Sequence, residues 1–167
     1  KIFLQVGNRD FLIGQRFCIE TGIQLIGDYY LIELNHQRVL LTHGDLLCSD
    51  DIAYQNFRVR ARNLSWQQQI LSKPLWLRLL AARWYRFRSI WHQYQQDNII
   101  DVNQKTVIDI MQQFEVLHLI HGHTHKPQLH QFSINQQPAQ RWVLSDWQRS
   151  DISILEWNDQ QLNYRNI

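Results

Sequence analysis

The chain has 167 residues, 44% hydrophobic and 19% charged, with a net charge of +2 and a pI near 8.7. A chain of roughly this length buries about 70% of its unfolded surface, enough for one domain with a core, while so small a charge surplus gives no argument for a nucleic-acid partner. No run of 18 apolar residues crosses a membrane, and Cys18 and Cys48, with no C-x-x-C between them, make neither a redox motif nor a zinc knuckle and read as two reduced thiols of a cytosolic protein.

Residues 1–6 read as a buried strand, stopped by Gly7-Asn8-Arg9-Asp10. The opening KIFLQVGNRDF lacks the order of a signal peptide. Residues 11–21 carry helical spacing, with Gly22 after the end. Ile23–Ile26 is a short strand, and Tyr29–Asn35 and Arg38–Thr42 are two strands joined by a tight polar turn. Ser49, Asp50 and Asp51 are cap-type residues before a helix that includes Tyr54 and Phe57.

From residue 52 to 100 the composition shifts to tryptophan and arginine, and PLWLRLLAARWYRFRSI reads as a basic amphipathic helix started by Pro74. Asp101-Val102-Asn103 opens a helix to about Phe114, and Val116–Ile120 is a buried strand. Residues 128–135, 141–146, 151–157 and 161–166 alternate as a closing antiparallel set, with Asn158-Asp159 as a hairpin turn. This order predicts an α/β domain over 1–167 with a helical insertion at about 52–100.

Three loops follow apolar strands: Asn8-Arg9-Asp10, His43-Gly44-Asp45 and His121-Gly122-His123-Thr124-His125. Ligands of open α/β sheets gather at such strand ends. The loops offer an amide oxygen, imidazoles and carboxylates, a set that suits manganese, iron, cobalt or zinc. If residues 121–125 are extended, alternate imidazoles share one face. The plain alternative is a solvated histidine-rich turn. Asn8 taken alone reads more readily as a turn former than as an oxygen ligand, and Arg9 reads equally as a surface charge or a fork for phosphate.

The motifs GNRD, HGD and GHTH, in that order, resemble the last three motifs of the calcineurin-like metallophosphoesterases. The longer blocks GNRDFLIGQRF, HGDLLCSDDIAYQNFR, IIDVNQKTV, LIHGHTHKP and INQQPAQRWVLSDW resemble the branch of that family acting in lipid A biosynthesis. The resemblance implies an α/β/β/α sandwich with a helical lid and two Mn2+ ions. It also implies hydrolysis of the pyrophosphate of a UDP-linked diacylated glucosamine, giving UMP and the sugar 1-phosphate.

Carried over by residue, Asn8, His43 and His123 bind one ion and His125 the other. Arg9 and His123 act in catalysis. Asn8, Arg9, Asp51 and His123 touch substrate, with Tyr54 on the lid side of the pocket. His121 takes a supporting role behind the ligands. The resemblance further implies peripheral association with the cytoplasmic face of the inner membrane, with no nucleic acid and no known protein partner.

Two departures stand out. The family's Asp-x-His and Gly-Asp motifs belong to strands before GNRD, which here begins at residue 7. The chain is therefore expected to correspond to the C-terminal two-thirds of the enzyme, with its first strands missing, the second metal site incomplete, activity impaired and sheet edges exposed. The family's Ser/Asn/Lys-rich substrate segment is replaced by residues 87–95, where Arg88 and His92 stand in. The rival readings are a metallophosphoesterase for another nucleotide or phosphodiester, and a non-catalytic remnant that associates with membranes.

Overall fold

A computed structural model describes residues 1–95, 101–146, 153–158 and 161–166, with the side chains of 88–95 left aside. It divides into one unit of 1–49 with 102–167 and a second of 50–101, each described by itself.

The first unit is built on a five-stranded sheet of β3 (Tyr29–Leu34), β4 (Gln37–Thr42), β5 (His118–His121), β6 (Gln128–Ile134) and β7 (Gln137–Val143). Its order is β3-β4-β5-β7-β6. The three inner strands run parallel, and the outer two are antiparallel to their neighbours. Buried parallel strands need apolar side chains on both faces, which Val39-Leu40 and Leu119-Ile120 provide. The outer strands join by two-residue turns, Asn35-His36 and Asn135-Gln136. All four residues have positive φ (48°, 63°, 50° and 65°), as right-twisted hairpins require.

One sheet face carries the core. Leu40, Leu119 and Ala139 are each at most 1% exposed. Against them pack Val107 and Met111 of α5 (Gln104–Gln113), four residues apart on one helix face. Asn103 caps this helix by accepting from the Thr106 amide at 3.1 Å. Two residues further along each inner strand the same face turns polar: Leu40 gives way to Thr42, Leu119 to His121 and Ala139 to Arg141, all still buried.

The opposite face receives two small sheets. In the hairpin of β8 (Ser153–Asn158) and β9 (Gln161–Asn166), the Tyr164 ring lies 5.4 Å from Trp142. Its hydroxyl donates to the Val143 carbonyl at 2.8 Å. The parallel pair β1 (Phe3–Gln5) and β2 (Gln24–Ile26) flanks α1 (Gln15–Thr21). It attaches through Phe3, 5.8 Å from the Tyr30 ring, and through the Gln5 amide, which donates to the Gly27 and Asp28 carbonyls. Helix on one face and strands on the other give the expected α/β class.

Several expectations shift. Residues 11 and 12 are turn, closed by the Ile13 amide on the Asp10 carbonyl, and the helix starts only at Gln15. The strand expected at 141–146 is β7, beginning at Gln137 because the turn sits at Asn135-Gln136. Ile2 and Phe3 are exposed rather than buried, because β1 pairs with β2 alone among the described residues. Asn158 ends β8, while Asp159 lies outside the described residues.

The second unit holds α2 (Ile52–Ala61), α3 (Leu64–Leu71) and α4 (Leu75–Gln95). Asp51 caps α2 and Asn63 caps α3, each carboxyl or amide oxygen accepting a backbone N–H three residues on. Phe57 and Tyr85 pack at 5.8 Å. Leu75, Trp76, Leu79, Leu80, Trp84 and Phe87 are more than half exposed. No helix among the described residues is long and apolar enough to cross a membrane.

Candidate metal centre

Parallel pairing sets three chain segments side by side at the carboxyl ends of β4, β5 and β7. Thr42 pairs with His121, and His121 with Val143. The ladder continues one step into the loops: the Gly122 amide donates to the His43 carbonyl at 3.0 Å, and the Leu144 amide to the His121 carbonyl at 2.7 Å. The loop after β1 closes from the side. A methyl group on Gly7 would lie 2.5–2.9 Å from three atoms of the His43 imidazole. Only a residue without Cβ leaves that ring its place. The Asp10 carboxylate accepts from the Gly7 amide and holds the loop in this turn.

The histidines of the 121–125 loop do not share a face, so the extended reading is corrected. His123 and His125 have φ of 70° and 54°, left-handed conformations that side chains with a Cβ rarely adopt. The chain turns at each of them, and the three rings meet three different partners. His121 ends β5 fully buried. The Arg141 Nη1 lies 2.9 Å from its Nε2, and its Nδ1 lies 2.8 Å from the Gly122 carbonyl. His123 is half-buried, its ring 5.2 Å from that of His43 at 69°. His125 is about half exposed, its Nδ1 3.8 Å from an Asp146 carboxylate oxygen.

The His43–His123 pair fits a shared ion. Imidazole nitrogens sit about 2.0–2.1 Å from a zinc-type ion, which places two ring centroids roughly 5 Å apart at near-tetrahedral ligand angles. The Nε2 of His43 is shut off from solvent, as a site turned inward requires. Asn8 is half-buried in the adjoining loop and Arg9 is exposed. Among the described residues no three His, Cys, Asp or Glu side chains converge into one metal-holding group. At these strand ends the described residues bring together two pairs, His43 with His123 and His125 with Asp146.

Asp51 and Tyr54 belong to the second unit. The Asp51 carboxylate accepts from the Tyr54 amide at 2.9 Å, and Tyr54 is half-buried. The side chains of Arg88 and His92 lie outside the described residues. Sequence reasoning missed Asp146 and Arg141 as parts of the site, and named the Gly7 and Gly44 loops without the close ring contacts that each glycine permits. The block ending in LSDW held a signal for Asp146, an acid just beyond an apolar strand. Arg141 gave none, because its partner is 20 residues away and meets it only through strand register.

The fold and the site together define a histidine-rich centre at the carboxyl edge of a mixed α/β sheet. No protein-family profile matches the chain. It is 45% identical over 158 residues to the UDP-2,3-diacylglucosamine hydrolase of Haemophilus influenzae (strain PittGG), covering 94% of this chain and 65% of that protein. It is 41% identical over 165 residues to the hydrolase of the same name from Haemophilus ducreyi, covering 98% of this chain and 69% of that protein. The one from Chromohalobacter salexigens is 45% identical over 148 residues, at 88% and 60% coverage. A solved archaeal phosphodiesterase superposes on 99% of this chain and 68% of its own with a TM-score of 0.46 and 11% identity, too loose a likeness to bear on the reading. The chain belongs to the UDP-2,3-diacylglucosamine hydrolase family. It spans about 65% of the length of the Haemophilus influenzae relatives it matches.

Proposed function

We propose that this chain carries one side of the catalytic centre of a hydrolase that splits the pyrophosphate of UDP-2,3-diacylglucosamine into UMP and 2,3-diacylglucosamine 1-phosphate, in lipid A biosynthesis. The observation that supports it is the His43–His123 imidazole pair, 5.2 Å apart at the carboxyl ends of parallel strands. In this reading Asn8, His43 and His123 hold one Mn2+ and His125 holds a second. A divalent pair supplies an activated water at neutral pH and neutralises charge on the phosphoryl oxygens. Arg9, exposed beside Asn8, is free in geometry to fork onto a phosphate. Asp51, Tyr54, Arg88 and His92 bind the rest of the substrate.

The same reading places the protein at the cytoplasmic face of the inner membrane, against anionic lipid. Residues 52–96 hold eight Arg and Lys and no Asp or Glu. Exposed Trp76 and Trp84 sit among them. Basic charge with tryptophan suits a lipid headgroup layer.

Titration of the chain with Mn2+, followed by the ion's electron paramagnetic resonance, tests the metal, and UMP release tests the reaction. His123→Ala is expected to weaken Mn2+ binding beyond the ~10–100-fold seen for residues that only support ligands. Undiminished Mn2+ binding and UMP release in both His123→Ala and His43→Ala would overturn the assignment.

A further inference from the structure

Arg141 is only 4% exposed and sits on the core side of the sheet, in line with Ala139. A guanidinium there is costly unless its donors are used. One of them is used on His121. Arginine carries donors and no acceptor, so the Nε2 it meets at 2.9 Å must be the imidazole's lone-pair nitrogen. The ring proton is then on Nδ1, which lies 2.8 Å from the Gly122 carbonyl and donates to it. The same carbonyl accepts from the Thr124 amide at 2.9 Å. Between these two donors stands His123, at a φ of 70°. A residue with a Cβ held in that region is strained and persists only when its surroundings over-determine it.

We propose that Arg141 is a positioning residue that acts through His121. It fixes the neutral Nδ1–H tautomer of His121, and that proton pins the Gly122–Thr124 turn which holds the His123 ring against His43. The inference rests on reading His123 as a metal ligand, but its first link concerns the protein without metal. Gly44 belongs to the same device: a methyl there would stand 2.8 Å from the His121 Nδ1 and 2.9 Å from the Gly122 carbonyl oxygen.

The test starts with nitrogen-15 NMR of the histidine rings in the metal-free chain. His121 is expected to show a protonated Nδ1 and a bare Nε2; the opposite tautomer would overturn the proposal. Arg141→Met, which keeps the bulk and removes the donors, is expected to blur that tautomer. It should also speed exchange of the Thr124 amide relative to the Val107 amide in the core, and lower Mn2+ affinity by ~10–100-fold. Arg141→Lys, which returns a donor, is expected to recover part of each change. An Arg141→Met protein with the parent's tautomer and Thr124 exchange would sink the idea. If Arg141→Met does not fold, two His121 variants decide. His121→Asn keeps a donor near the Nδ1 position and is expected to hold Mn2+ better than His121→Gln, whose amide falls near Nε2; the reverse order overturns the proposal. A parent chain with the expected tautomer and no Mn2+ binding would refute the metal reading alone.

Discussion

The sheet unit and the helical segment break the inside–outside rule in opposite directions. Beneath the candidate centre, polar groups are buried: His121, Arg141 and Thr42 lie on the core face of the sheet. Along α4, apolar groups are exposed: Trp76, Leu80 and Trp84 are each more than half accessible. Buried polar residues and exposed apolar patches are the two informative departures from ordinary packing. The first builds a rigid frame for ring geometry, at the cost of desolvation. The second leaves apolar side chains accessible along α4. Under the proposed function the first region serves the chemistry and the second a lipid surface.

The sharpest way to break this contrast is to delete apolar bulk in each region. Leu119 is fully buried in the core cluster, and Leu119→Ala is expected to cost about 2–5 kcal/mol. Denaturant unfolding of the chain measures it. A loss well under 1 kcal/mol would mean that the sheet core is loosely packed and that the contrast is false.

The next effect separates the frame from its surface. Gly44 has φ of 108° and no room for a methyl group. Gly44→Ala is expected to destabilise by about 3 kcal/mol through backbone strain and overpacking. Gly14 faces open space at a negative φ, so Gly14→Ala should change stability by no more than about 0.5 kcal/mol. Equal effects at the two glycines would remove the claim that the strand-end loops are tightly interlocked.

The sequence reveals the frame better than its fittings. Val39–Thr42 and Leu119–Ile120 are legible as strands because short apolar runs bounded by turn residues have few other uses. Asn103 is legible as a cap because its side chain acts within three residues. The histidine motif marked the place of the centre, yet its period suggested one shared face. Positive φ at His123 and His125 undid that, and nothing local in H-G-H-T-H announces it. The contacts of Arg141 with His121 and of Asp146 with His125 depend on β7 pairing parallel to β5. That register is a long-range choice made by the whole sheet, and no spacing along the chain encodes it. The expectation of a buried first strand failed for a related reason, since exposure depends on what lies beside β1 rather than on its own residues.

The smallest effect on stability is expected in α4. Trp76→Ser and Trp84→Ser alter side chains that are 61% and 55% exposed, so the chain should lose no more than about 0.5 kcal/mol each. Their effect should appear instead on vesicles that contain anionic phosphatidylglycerol. Removing both rings takes away the groups suited to the headgroup layer, and binding measured by sedimentation should weaken several-fold. Arg83→Gln and Arg86→Gln should each weaken it further, by about 1 kcal/mol for each charge near the surface, and raised salt should mimic them. Neutral vesicles should bind poorly throughout. If the tryptophan variants cost as much stability as is expected of Leu119→Ala, those rings are core after all, and the division between a sheet built for chemistry and helices built for attachment fails.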